Sequence, residues 1–199
     1  MKLDIFDFGQ FGENTYVVHE AGHVLFIDPG RYAKKLIQAV DKKEIVDGIL
    51  LTHGHEDHTG AVDDLVDTYQ CKVYMNLEDY PLVDPNHARH GYDSPIYSPI
   101  ESLMNQSQIG TFKIKVYHTP GHTSGSCCIQ YKNLLFTGDT LFASDIGRTD
   151  LYLGNEAQML DSLRKLKELP NDLKIYPGHG QSSTMKDEKE KNIYLITLR

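Results

Sequence analysis

The feature that most restricts this chain is a cluster of three histidines and one aspartate within six residues. The residues are His53, His55, Asp57 and His58, which form the pattern His-x-His-x-Asp-His. The cluster directly follows the apolar run 48–51, which predicts a buried strand that delivers all four side chains to one loop. Imidazole and carboxylate groups at this density indicate a transition-metal site.

Four later motifs share one arrangement, in which a glycine-containing loop carries a ligand-type or charged side chain. A glycine in such a loop permits the tight backbone turns that point several side chains at one place. A single Pro-Gly-His turn predicts little, but together the motifs indicate one centre built from distant parts of the chain. They are Thr119-Pro120-Gly121-His122-Thr123, Thr137-Gly138-Asp139-Thr140, Gly147-Arg148-Thr149-Asp150 and Tyr176-Pro177-Gly178-His179-Gly180.

The motifs supply seven candidate metal ligands, five imidazoles and two carboxylates. They are His53, His55, His58, His122, His179, Asp57 and Asp139. Seven ligands exceed what one tetrahedral or five-coordinate ion needs, but they fit two divalent ions that share a carboxylate. Such a centre is expected to hold zinc, with iron or manganese as alternatives. Because it stays net positive, a bridging water is expected to be held as hydroxide near neutral pH.

The composition is that of an ordinary globular chain, with 199 residues, 40% hydrophobic and 24% charged. The net charge of −8 counts against nucleic acid as a partner, and no apolar run is long enough to cross a membrane. The three cysteines, Cys71, Cys127 and Cys128, form no disulfide framework, so a reducing, cytoplasmic setting is expected. The expected partner is a small-molecule substrate, and the oligomeric state is left open.

Apolar periodicity predicts strands separated by a few helices, an order that favours two packed sheets with helices outside. The helix predicted at 155–169 is expected to be capped at its N-terminus by Asn155, with Gln158 at the reciprocal capping position. Residues 9–12 are predicted to turn. Residues 76–107 show no periodic spacing of apolar residues and are predicted to form a covering loop with short helical turns. Strands are predicted at 3–8, 15–18, 24–27, 46–51, 72–75, 112–116, 126–130, 134–137 and 173–176, and helices at 33–40, 61–69, 155–169 and 185–191.

The five motifs together resemble the metallo-β-lactamase superfamily, over about residues 5–182. The resemblance implies an α/β (α+β) protein, a four-layer αβ/βα sandwich of two mixed β-sheets flanked by helices. It implies a single metallo-hydrolase domain over residues 1–199, with the metals at one edge between the sheets. It also implies how the ligands divide between the two ions. His53, His55 and His122 would hold the first ion, Asp57, His58 and His179 the second, and Asp139 would bridge them.

Within the superfamily, the motifs around His122 and Asp139 are most similar to the glyoxalase II (hydroxyacylglutathione hydrolase) group. The stretch 146–150 resembles its short, single-domain bacterial branch. This implies hydrolysis of a thioester of the hydroxyacylglutathione type by a metal-bound hydroxide, with Asp57 and Asp139 as the carboxylates of the catalytic centre.

Two departures from the longer glyoxalase II enzymes concern the thiol half of the substrate. Those enzymes carry a helical C-terminal extension that binds glutathione, and no such separate domain is expected in this chain. Where they place a lysine and a tyrosine against the thiol cofactor, this chain has Arg148 and Asp150. These two residues are predicted to contact the substrate or to pair and brace the metal loop.

Several other activities are compatible with related ligand sets. A mononuclear Fe(II) persulfide dioxygenase is the main alternative, because those enzymes share His-x-His-x-Asp-His and the Gly-Arg-Thr-Asp stretch. An RNA phosphodiesterase is disfavoured by the net charge of −8, and a lactonase is a minor option. Asp139 counts against a true β-lactamase, because those members have a different residue at that position.

Overall fold

The computed structural model describes residues 1–8, 12–87 and 90–198, and within these ranges two mixed six-stranded sheets pack together. The first sheet has its strands in chain order. Its first three strands are antiparallel and the next three add in parallel. The strands are β1 (Lys2–Phe8), β2 (Glu13–Glu20), β3 (His23–Ile27), β4 (Ile45–Leu50), β5 (Val73–Met75) and β6 (Ile100–Ser102).

The second sheet has the order β14-β13-β10-β9-β8-β7, and only β10 and β13 run parallel. A two-stranded hairpin, β11 (Leu141–Phe142) with β12 (Asp145–Ile146), lies outside the sheet order. The six strands are β7 (Gln108–Ile109), β8 (Phe112–His118), β9 (Cys127–Tyr131), β10 (Leu134–Gly138), β13 (Lys174–Pro177) and β14 (Ser183–Thr184).

Most helices lie on the outside of the two sheets, and one short helix lies at the sheet edge. Within the described ranges no helix has both the length and the apolar character needed to cross a lipid bilayer. The helices are α1 (Ala33–Ala39), α2 (Glu56–Thr59), α3 (Val62–Tyr69), α4 (Tyr80–Val83), α5 (Glu156–Lys167), α6 (Met185–Lys191) and α7 (Ile193–Thr197).

Strand alternation divides the core into layers. In β2, Tyr16 and Val18 belong to the core between the two sheets, whereas Val17 packs with residues of α1 and α3. In β10, Phe136 belongs to the central core and Leu135 packs with residues of α5, α6 and α7. Since successive strand residues point to opposite faces, each sheet has one inner and one outer apolar face. The order helix, sheet, sheet, helix confirms the predicted four-layer sandwich.

Most predicted elements are present with small shifts at their ends, but the predicted capping of α5 is only half right. The side chain of Asn155 accepts a hydrogen bond from the Gln158 backbone N–H at 3.0 Å. The Asn155 backbone N–H donates instead to the carbonyl of Gly121 at 2.8 Å. The group that Gln158 would have reached is therefore already used, and the bond joins α5 to the loop that carries His122.

The segment 76–107 is more ordered than predicted. Its short helical turns are confirmed, as a 3-10 turn at Leu77–Asp79 and as α4. However, Leu82 and Val83 are buried in the core, and β6 is an edge strand of the first sheet. The prediction of a covering loop is therefore wrong at β6 and at the buried side chains of α4, whereas residues 84–87 and 90–99 have no helix or strand, as predicted. Residues 88–89 lie outside the described residues, as do residues 9–11 of the predicted turn.

All three cysteines are free, and burial suppresses their ionisation. Burial raises the pKa of Cys71 to about 11 and that of Cys128 to about 12, and it raises that of Cys127 well above its usual value. The thiolate is the reactive form. We therefore expect the native protein to resist iodoacetamide near pH 8, while the unfolded chain reacts at all three thiols, as measured by intact mass. Rapid labelling of the native protein would contradict this.

Candidate metal centre

The predicted ligands come together at one edge of the sandwich. This edge contains the carboxyl ends of β4, β10 and β13 and the loop between β8 and β9. Backbone hydrogen bonds join the two sheets here. The Cys127 N–H donates to the Thr52 carbonyl at 2.9 Å, and the Asn14 N–H donates to the Gly178 carbonyl at 2.7 Å. The sheet edge is therefore a fixed frame for the loops.

The first group consists of His53, His55 and His122, all buried. Their facing ring nitrogens lie within 4.8 Å of one another, and His55 Nδ1 is 2.9 Å from His122 Nε2. Burial lowers the pKa of His55 to about 3 and that of His53 well below its usual value. Neutral imidazole is the form that binds a metal ion. In the described part of the chain, nothing hydrogen-bonds to the buried Nε2 of His53.

The second group consists of Asp57, His58 and His179. His179 Nε2 is 3.4 Å from Asp57 Oδ2 and 3.4 Å from His58 Nε2. Burial by itself lowers the pKa of His58, but the carboxylates of Asp57 and Asp139 outweigh it and raise the pKa to about 9. In the metal-free protein His58 therefore holds a proton that an incoming metal ion has to displace.

Asp139 lies between the two groups. Its Oδ1 is 3.5 Å from His58 Nε2, and its Oδ2 is 3.4 Å from both His122 Nε2 and His179 Nε2. Oδ1 is buried without a hydrogen-bond partner among the residues that the structure describes. The carboxylate can thus face both groups at once, which is the arrangement that the predicted bridge requires.

Two glycines make this close approach possible. Gly138 has a φ of 47°, and a Cβ there would lie 2.2 Å from Thr52 Oγ1. A Cβ at Gly178 would lie 2.2 Å from Asp139 Oδ1. Any side chain at either position would push these loops apart, so the glycines of the Gly-Asp and Pro-Gly-His motifs have a steric role.

The donor set fits divalent metal ions. Two ligands of a tetrahedral ion with bonds of about 2.1 Å are separated by roughly 3.4 Å. The closest donor pairs named above lie 2.9–3.5 Å apart. The imidazoles, the ionised carboxylates of Asp57 and Asp139, and two buried lone pairs without a hydrogen-bond partner among the described residues match what such ions bind. Divalent metal-binding residues are therefore present, while the assignment of each ligand to one ion stays a prediction.

Asp28 orients two of the predicted ligands, and the sequence reading did not identify it. Its Oδ2 accepts from the Thr52 hydroxyl at 2.6 Å and faces His58 Nδ1 at 3.1 Å. The Thr52 oxygen in turn lies 3.1 Å from His53 Nδ1. Both histidines thus use Nδ1 for these contacts and keep Nε2 for the centre. Asp28 groups spatially with His53 and His58, but Thr52 and His58 already engage both of its oxygens.

Asp79, also missed, joins the two segments that carry the first group. The carboxylate is fully buried, and Oδ2 accepts from the Gly54 backbone N–H at 3.0 Å and from the Thr123 hydroxyl at 2.6 Å. Oδ1 accepts from the Gly125 N–H at 2.6 Å. Burial raises the pKa of Asp79 to about 6 even with these donors. The carboxylate therefore fixes the spacing between the loop of residues 53–58 and that of residues 119–126.

Arg148 and Asp150 pair with each other, as one of the two predictions for them proposed. Arg148 Nε and Nη2 donate to the two Asp150 oxygens at 2.7 and 2.8 Å. The Arg148 carbonyl lies 2.7 Å from His122 Nδ1 and holds that ring with Nε2 towards the centre. The side-chain pairing is therefore present, and the Arg148 backbone carbonyl contacts a predicted ligand, while bracing of the loop by the pair stays a prediction. Contact of either residue with substrate stays a prediction.

A cleft of about 810 Å³ opens over the ligands. Five predicted ligands line it, together with an apolar wall from the hairpin and the following loop, two arginines, one further carboxylate and an aromatic ring. A larger hollow of about 1170 Å³ lies at the opposite edge of the first sheet, away from the ligands. The non-ligand side chains in the cleft include Phe142, Ile146, Leu151, Arg31, Arg148, Glu56 and Tyr92.

The fold and the site together define a class of metal-dependent hydrolases with a histidine- and aspartate-lined centre at the edge of a two-sheet sandwich. Residues 8–179 match the metallo-beta-lactamase superfamily, and the chain belongs to that superfamily.

Relatives along nearly the whole chain support this. Hydroxyacylglutathione hydrolase GloC of Haemophilus influenzae is 33% identical over an alignment of 208 positions, which covers 98% of this chain and 98% of the relative. The probable metallo-hydrolase YqgX of Bacillus subtilis is 32% identical over an alignment of 206 positions, which also covers 98% of each chain.

Solved structures show the same fold. The BLEG-1 B3 metallo-beta-lactamase superposes with a TM-score of 0.87 at 34% identity, covering 98% of this chain and 99% of the other. TTHA1623 in a di-iron-bound form gives 0.84 at 31% identity, covering 96% and 100%. ETHE1 from Myxococcus xanthus gives 0.78 at 26% identity, covering 97% and 84%.

Proposed function

We propose that this protein hydrolyses a small-molecule thioester of the hydroxyacylglutathione type. The observation that carries the proposal is the Asp139 carboxylate, which lies between two groups of histidine and aspartate donors at the base of an open cleft. The similarity to a relative named hydroxyacylglutathione hydrolase supports the choice of substrate. The net charge of −8 agrees with a small molecule rather than nucleic acid.

The chain's own residues have defined tasks in this reaction. Asp57 and Asp139 supply the negative charge of the centre, and neutral imidazoles complete it. When bound, divalent ions would polarise the thioester carbonyl and lower the pKa of a coordinated water. The departing thiolate is stable near neutral pH, since thiols have a pKa of about 8.5, so a strong proton donor is not needed.

Zinc is the expected metal, with iron or manganese as alternatives. The donor set of imidazole and carboxylate suits all three ions. The similarity to a protein solved in a di-iron-bound form supports testing iron alongside zinc.

A mononuclear Fe(II) persulfide dioxygenase is the second candidate. The similarity to ETHE1 from Myxococcus xanthus and the stretch Gly147-Arg148-Thr149-Asp150 favour it. Such an enzyme would use one iron ion, held by two histidines and an aspartate, and would consume oxygen. Metal content and oxygen uptake therefore separate the two candidates.

Chelation followed by metal replacement tests the proposal. We expect the stripped protein to lose hydrolysis of S-lactoylglutathione and to recover it with zinc, iron or manganese. A persulfide assayed by oxygen consumption and a chromogenic β-lactam, prompted by the similarity to BLEG-1, are the parallel substrates. Unchanged thioesterase activity after stripping would refute metal dependence. A single iron per chain with oxygen uptake on the persulfide would favour the dioxygenase.

A further inference from the structure

Arg31 is held beside the second group by the loop that precedes it. Gly30 packs so closely on α2 that a Cβ there would lie 1.6 Å from the Asp57 carbonyl oxygen. The Ala61 N–H donates to the Pro29 carbonyl at 3.0 Å. The backbone just before Arg31 is therefore fixed against the helix that supplies Asp57.

The Arg31 side chain lines the same cleft as Asp57 and His179. Of the two arginines in the cleft, Arg148 is engaged by Asp150 through two hydrogen bonds of 2.7 and 2.8 Å. For Arg31, the structure gives no ion pair or side-chain hydrogen bond with any residue in the described ranges. Its guanidinium therefore keeps its donors available for a molecule in the cleft.

A guanidinium without a side-chain partner is ordinary on an open surface, but beside a cationic centre it is repelled. Two divalent ions held by two carboxylates leave the centre positive, and Arg31 adds to that charge. The Glu56 carboxylate in the cleft and the buried Glu13, which interacts electrostatically with Arg31, offset it only in part. A guanidinium also matches a carboxylate geometrically, because two parallel N–H groups meet its two oxygens. The cleft thus favours a ligand that brings its own negative charge.

We infer that Arg31 binds a carboxylate of the substrate and selects thioesters that carry a negative charge. This rests on the proposed thioester hydrolysis and adds a specificity-determining residue to it. Arg31 holds the substrate and makes no contact with the reacting carbonyl, so its removal weakens binding and leaves turnover of the bound substrate unchanged.

Three thioesters test the inference on the metal-loaded enzyme. S-lactoylglutathione carries carboxylates on the thiol half, S-succinyl-N-acetylcysteamine carries one on the acyl half, and S-lactoyl-N-acetylcysteamine is neutral. The variants are Arg31→Gln and Arg31→Lys. The matched control is Lys34→Gln, which removes one positive charge from an exposed side chain of α1 outside the cleft.

We expect Arg31→Gln to raise KM about tenfold for the charged thioester that uses this contact, with kcat unchanged. KM for the neutral thioester should not change, Arg31→Lys should recover most of the loss, and Lys34→Gln should behave as wild type. The charged substrate that responds identifies which half of the molecule carries the carboxylate.

Two other outcomes separate the inference from the proposed function. If Arg31→Gln alters KM equally for charged and neutral thioesters, or for none of them, the role of Arg31 is wrong while thioester hydrolysis stands. If the wild-type enzyme hydrolyses none of the three thioesters, the proposed function and the inference fail together.

Discussion

Asp139→Ala is expected to yield a folded protein that retains neither metal ion. The Asp139 carboxylate lies within 3.5 Å of ring nitrogens from both groups, so in the predicted ligand assignment its loss removes a donor from each ion at once. It also removes the charge that lets two dications approach each other. Metal analysis after desalting should fall from about two equivalents per chain to none. Thioesterase activity should fall by on the order of a thousandfold or more.

Glu56→Gln is the matched control for this variant. Glu56 is an exposed carboxylate that lines the same cleft, next in sequence to Asp57 but outside the predicted ligand set. We expect Glu56→Gln to keep both ions, with circular dichroism showing that each variant is folded. Two equivalents retained by Asp139→Ala would refute the bridge, and loss of metal in Glu56→Gln would show that the ligand assignment is incomplete.

The sandwich could be predicted because its longer strands and helices are long enough to show a period. Strands β2, β3 and β10 alternate between two cores, and α5 has a continuous apolar stripe. Several short elements were missed for a physical reason, although β5, also three residues long, was predicted. The three-residue β6 and the four-residue α2 contain at most one full period, so their patterns alone do not distinguish them from a loop.

Part of the candidate site could be predicted from the sequence because its first four predicted ligands are close together in the chain. Asp28 contacts Thr52 and His58 across more than twenty intervening residues, so no local pattern marks it. One signal was available, since Asp28 follows an apolar strand and precedes Pro29-Gly30, as in the other motifs. Asp79 has no such signal, because it lies in a segment without periodicity and its partners are mainly backbone groups.

Asp28→Asn is expected to weaken the second metal most strongly. In the wild type, the Asp28 carboxylate accepts from His58 Nδ1, which leaves Nε2 as the lone pair facing the centre. An asparagine amide at Oδ2 would donate there instead and favour the opposite tautomer, with the proton on Nε2. The affinity of the second ion should fall by about 10–100-fold, as measured by competition with a chromogenic chelator.

Thr52→Val tests the link from Asp28 to His53 separately from the contact between Asp28 and His58. It removes the hydroxyl between Asp28 and His53, 2.6 Å and 3.1 Å from them respectively, and leaves the contact from Asp28 to His58 in place. We therefore expect Thr52→Val to weaken the first ion and spare the second, whereas Asp28→Asn weakens both, the second more. Equal losses at the two sites in both variants would mean that Asp28 acts on general stability and not on the tautomers of these histidines.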